Sequence, residues 1–153
     1  MRVNLMKTVN RIKLLRISFW VGAILDGVYA INMGFVWLLD SYSGFDPIKL
    51  IRFTAGLQSR YAWGIACSLM TGWTFLLLWA DRKPLERRGV LMLTAFPVVT
   101  GLLIDSFYAV SVNLVTWADV RFLQIAYLLL IALFTSSYLL SRPQLIEIKE
   151  GKK

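Results

Sequence analysis

The sequence predicts an all-α integral membrane protein: a bundle of four transmembrane helices, built as a tandem duplication of a two-helix hairpin. Three observations predict it. Hydrophobic residues make up 58% of the 153 positions, against about 45–50% in a soluble domain. The excess is gathered in four long runs, 18–39, 61–80, 89–112 and 122–140. At 1.5 Å per residue, about 20 apolar residues cross the hydrocarbon core of a bilayer. The third observation is the distribution of Lys and Arg. Thirteen of the 17 fall in the N-terminal segment, the connection between the second and third runs, and the C-terminal tail. By the positive-inside rule these three segments, and so both termini, are cytoplasmic.

The backbone must satisfy its own hydrogen bonds in lipid, which makes each run a helix. The alternating ten-residue strands of a β-barrel are absent. The net charge of +8 is a topology signal suited to anionic headgroups, not a nucleic-acid footprint. The single cysteine, Cys67, and the lack of histidine exclude an intrachain disulfide, a CxxC redox pair and His-ligated metal or haem. No cofactor and no metal are expected. A cleaved signal peptide is rejected because Asp26 interrupts the apolar stretch, which then continues to Leu39.

Along the chain, 1–16 is a cytoplasmic lead that mixes apolar and basic residues as an interfacial helix does. Residues 17–83 form the first hairpin, with an outer insert at 41–59. In that insert Asp46-Pro47 reads as an N-cap and first helical position. The short charged connection 81–88 makes the second and third helices antiparallel neighbours. Residues 84–143 form the second hairpin. Pro97 lies within its first helix, where it cannot donate to the Leu93 carbonyl, so a kink is expected. Residues 144–153 are a polar tail. Trp20, Trp37, Trp63, Trp79 and Trp117 sit near span ends, as an interfacial belt requires.

The first and third helices match without gaps at an offset of 79 residues. Residues 21–40 and 100–119 agree at six of 20 positions, including Asp26/Asp105, Tyr29/Tyr108 and Asp40/Asp119. The second and fourth helices correspond more weakly at an offset of 61, through Arg60-Tyr61 and Arg121-Phe122. Two units with the same orientation imply a pseudo-two-fold axis along the membrane normal.

Residues four apart share a helix face. Gly22, Asp26, Ala30 and Gly34 therefore form one stripe, and Gly101, Asp105, Ala109 and Asn113 its counterpart. Tyr29 and Tyr108 stand one turn from their aspartates. Small residues let helices approach closely, so each stripe is expected to face another helix. A charged Asp near the bilayer centre costs about 2.5–3.5 kcal/mol. A proton, a bound cation or a hydrogen-bond donor relieves that cost.

Three roles follow. In the first, Asp26, Tyr29, Asp105 and Tyr108 bind or translocate a proton, a small cation or a small amphipathic ligand. Asn32, Thr71, Trp73, Thr100, Asn113 and Gln124 would be supporting polar groups. In the second, the carboxylates hold helices together in a non-catalytic accessory subunit of a larger membrane complex or in a homo-oligomer. In the third, they act as acid and base on a lipid-soluble substrate. No Gly-x-Gly-Asp of intramembrane aspartyl proteases, no P-loop and no dinucleotide fingerprint is present. No catalytic residue is assigned. Arg60 and Arg121 mark the outer mouths of the second and fourth helices, as surface partners for Asp40 and Asp119. The compact chain fits a prokaryotic cytoplasmic membrane.

Overall fold

The computed structural model describes residues 2–43 and 57–141, with side chains at 10–35, 37–38 and 61–141. Most of these residues are helical, the connections 82–88 and 112–116 are turns, and no strand occurs among them. α1 spans Arg2–Ser43, α2 Leu57–Asp81, α3 Gly89–Leu93, α4 Thr100–Ser111 and α5 Trp117–Leu140; a π-helical turn, Thr94–Val99, joins α3 to α4. Four stretches are long and apolar enough to cross a membrane: Asn10–Phe35, Tyr61–Asp81, Gly89–Ser111 and Trp117–Leu140. They match the expected spans to within a residue at the second and third, while the first begins eight residues and the fourth five residues earlier than expected. No break separates the lead from the span, because nothing between Arg2 and Ser43 interrupts the helix. Its 42 residues reach about 63 Å. The predicted helix after Asp46-Pro47, the side chains of Asp40 and Arg60, and the tail 144–153 lie outside the described residues.

The chain divides into two compact units, Trp20–Trp79, and Met1–Phe19 with Ala80–Lys153. α1 contributes to both.

In the Trp20–Trp79 unit, α1 and α2 form an antiparallel pair whose register is marked by glycines. A Cβ on Gly27 would lie 3.6 Å from Thr74 Cγ2, one on Gly34 would lie 3.3 Å from Cys67 Sγ, and one on Gly64 would lie 3.5 Å from Trp37 Nε1. The two numbers in each pair add to 101, as one unbroken antiparallel register requires. Absence of a side chain at Gly34 lets the Cys67 thiol reach across and donate to the Ala30 carbonyl at 3.3 Å. Close approach of small residues is how apolar helices associate without a hydrophobic driving force.

In the other unit, α3, the π turn and α4 pack on α5. Leu91, Ala95 and Val99 are buried at successive four-residue steps. Val120, Gln124, Tyr127 and Phe134 form the facing seam of α5, at the spacing of helix-packing knobs. Leu15, Ser18 and Phe19 of α1 are buried in the same unit. Ser18 and Ser137 are linked at 2.7 Å. Ser18 donates its one proton to the Leu14 carbonyl at 3.0 Å, so Ser137 is the donor between them. Gln124 Nε2 donates to Ser106 Oγ at 3.3 Å, and Ser106 in turn donates to the Leu103 carbonyl at 2.7 Å.

Pro97 produces a π turn where the sequence predicted a kink. Proline leaves the Leu93 carbonyl without its usual donor, and the chain widens by one residue. The Thr100 amide and hydroxyl both reach the Ala95 carbonyl, five residues back.

α4 ends at Ser111 in a Schellman motif. Leu114 N–H donates to the Ala109 carbonyl at 2.9 Å and Asn113 N–H to the Val110 carbonyl at 3.0 Å. Asn113 takes φ +57°, a left-handed conformation that Asn tolerates better than most residues. α5 then starts with a capping box. Asp119 Oδ2 accepts from the Thr116 amide at 3.1 Å and the Thr116 hydroxyl at 2.6 Å.

The two hairpins do not share a register. At offsets of 79 and 61, the Gly27–Thr74 pair would set Ser106 against Thr135. Ser106 is instead bonded to Gln124, about three helical turns away.

Candidate functional site

The two predicted stripes are used differently. On α1, Gly22 and Ala30 are buried, Asp26 and Gly34 are half-buried, and the Ala30–Gly34 step packs on Cys67 of α2. On α4, the buried residue is Ser106, which turns toward α5. Gly101 and Asp105 are exposed. Asn113 leaves the stripe altogether, because α4 stops two residues before it and Asn113 serves the turn. Identical residues thus face different surroundings, since packing contacts decide which side of each helix is covered.

Asp26 presents one carboxylate oxygen, Oδ2, that is buried without a hydrogen-bond partner. Tyr29 is 37% exposed and Tyr108 64% exposed. Neither phenol is bonded to its neighbouring aspartate. Asp105 lies six residues before the end of the span Gly89–Ser111, about 9 Å inside it. Its outward face also carries Ile104, Phe107, Tyr108 and Val112, all exposed.

Most of the expected supporting groups are engaged elsewhere. Thr71 donates to the Cys67 carbonyl at 2.7 Å and Thr100 to that of Ala95, which are bonds within their own helices. Gln124 joins α5 to α4. Asn32 and Trp73 are half-buried. At the opposite end from the turn 81–88, Arg121 lies over the ring of Phe122, 4.9 Å from its centroid, while Asp119 is held by Thr116. The expected Arg121–Asp119 pair is thereby replaced by a helix cap. Among the described residues no three Cys, Asp or Glu side chains gather closely enough to hold a metal ion.

The Trp20–Trp79 unit holds an apolar groove of about 460 Å³. Gly27, Ala30 and Gly34 line it from α1 and Thr71, Thr74 and Phe75 from α2. Thr71 and Thr74 turn their hydroxyls back to Cys67 and Met70 carbonyls, so the groove offers methyl groups. Asp26 is one residue outside this lining.

Sequence reading missed the Ser18–Ser137 link and the placement of Arg88 against Tyr138. Ser18 breaks an apolar run and Ser136-Ser137 breaks another, which is the signal available for the first. No protein-family model, no curated protein and no solved structure matches this chain.

Proposed function

We propose that this chain is a small polytopic membrane protein that binds or translocates a proton, a small cation or a small amphipathic ligand. Its acceptors are Asp26 with Tyr29, and Asp105 with Tyr108. The single observation behind this reading is the orphaned Oδ2 of Asp26, buried within a span. A buried carboxylate oxygen without a donor is costly. A proton, cation or amine supplies what the protein withholds. The groove beside Asp26 adds an apolar surface suited to the hydrocarbon part of an amphipathic ligand.

The cytoplasmic placement of both termini follows the charge distribution. The duplication rests on the sequence match between the first and third helices. The unlike hairpin registers confine the match to those helices.

The experiment compares thermal stability of wild type, Asp26→Asn and Asp105→Asn in detergent over roughly pH 4–9, with sodium, potassium or an amphipathic amine. Asn keeps shape and hydrogen bonding but cannot ionise. A pH or ligand response lost in either variant supports the site. Identical curves for all three proteins reject it.

One observation favours a second reading, an accessory subunit. Asp105 and Tyr108 are exposed on α4 inside an apolar span, where intramembrane acids almost always face protein or water. A partner helix would cover them. Asp105→Leu then separates the readings by size analysis in mild detergent: it dissociates a complex, but leaves an unpartnered protein monomeric and more stable.

A further inference from the structure

The turn joining α2 to α3 is rigidly wound. Lys83 N–H donates to the Ala80 carbonyl, Arg87 N–H to that of Lys83 and Val90 N–H to that of Arg87, all at 3.0–3.1 Å. Both of its acids face bases. Glu86 Oε2 is 3.2 Å from Lys83 Nζ. Asp81 Oδ1 is 4.0 Å from Arg16 Nε, an electrostatic contact too long for a hydrogen bond. Arg82 and Arg88 meet no acid among the described residues.

Arg88 is held in place. Its guanidinium carbon lies 5.1 Å from the centroid of the Tyr138 ring. The ring attracts the charge but offers no lone pair to the N–H groups. Nη1 is buried with no acceptor, while the side chain as a whole is half-exposed. Nη1 faces the protein, so a ligand meets the exposed remainder of the side chain, and a planar guanidinium fixed in this way is suited to recognising phosphate. The turn also lies where the apolar spans Tyr61–Asp81 and Gly89–Ser111 both end. In a membrane that is the depth of lipid phosphates, and basic pockets at span ends bind anionic headgroups.

We propose that Arg88, assisted by Arg82, binds the phosphate of an anionic phospholipid headgroup. Tyr138 orients the guanidinium, and the Lys83–Glu86 and Arg16–Asp81 pairs keep the acids of the turn away from it. The source is lipid and not free phosphate, because the site sits at the end of two spans.

The test uses the full chain, delipidated in a neutral detergent, and follows its melting temperature. Phosphatidylglycerol, phosphatidylcholine and inorganic phosphate are added separately. Phosphatidylglycerol is expected to raise Tm by about 5 °C at roughly a hundredfold excess over its Kd. Phosphatidylcholine and inorganic phosphate leave it unchanged. Arg88→Gln abolishes the rise, Arg82→Gln reduces it, and Arg88→Lys, which keeps charge but not the planar fork, retains only part of it. An equal rise with phosphatidylcholine overturns the proposal, and so does an equal rise with inorganic phosphate. If Arg88→Gln does not fold, an undiminished lipid response in both Arg82→Gln and Arg88→Lys overturns it.

Discussion

The hydroxyls of Ser18 and Ser137 lie 2.7 Å apart, both fully buried, and tie α1 to α5. Hydrogen bonds between apolar helices contribute about 0.6 kcal/mol on average and about 1.7 kcal/mol at most. Ser18→Ala and Ser137→Ala are each expected to destabilise the protein by about that amount. A double-mutant cycle of unfolding free energies should give a coupling of about 0.6–1.7 kcal/mol. Strict additivity of the two single effects would mean that the bond contributes nothing.

The glycine register of α1 and α2 gives a covalent prediction. A Cβ at position 34 stands 3.3 Å from Cys67 Sγ, within reach of a disulfide. Gly34→Cys should cross-link to Cys67 under mild oxidation, read as a reducible mobility shift in gel electrophoresis. Gly27→Cys sits two turns away opposite Thr74 and should stay reduced. Cross-linking from position 27 but not from 34 would shift the register and remove the basis of the apolar groove.

At the end of α4 the backbone sets the rule. Asn113 at φ +57° resists any β-branched replacement, because Cβ crowds the carbonyl there. Asn113→Val should cost about 1–2 kcal/mol, while Asn113→Gly should be neutral or slightly stabilising. Chemical unfolding in mixed micelles measures both. Equal stability of the two variants would contradict the Schellman turn.

The start of α5 depends on Thr116 and Asp119. Removing either half of the capping box, by Thr116→Val or Asp119→Ala, should cost about 1 kcal/mol. The two losses should be less than additive, since both variants break the Thr116 hydroxyl bond to Asp119 and only Asp119→Ala also removes the acceptor of the Thr116 amide. Faster amide exchange confined to residues 117–119 is the local signature. Exchange that rises instead along all of α5 would point to a packing defect.

The helices themselves were legible because their signal is additive. Twenty apolar residues in a row admit few other solutions in lipid, and Pro97 marks a break in the regular helix where it occurs, whereas Asn113 and Asp119 were read as stripe and ion-pair residues and instead serve the turn and the cap. The faces were less legible. Asp26 and Asp105 share a motif, but which side of a helix is covered depends on partners distant in sequence. Ser106 meets Gln124 across a short turn on the face that packs against α5, and Asp105 lies on the exposed face. The spacing of the motif carried no information about it. Thr71 and Thr100 looked available as polar groups because a sequence does not show a hydroxyl returning to its own helix. Arg88 was read only as charge, since its stacking on Tyr138 joins residues 50 positions apart.

The division of α1 has a consequence for biosynthesis. Its first turns belong to the unit that also contains α5. Ser18 and its partner are separated by 119 positions, so at ~5–20 residues per second the ribosome needs about 6–24 s to supply Ser137. Through that interval α1 keeps the Ser18 hydroxyl and the apolar flank of Leu15 and Phe19 uncovered. Ending the chain before α5 should therefore leave a product that chaperones retain and proteases recognise, even though three of the four long apolar helical stretches are already made.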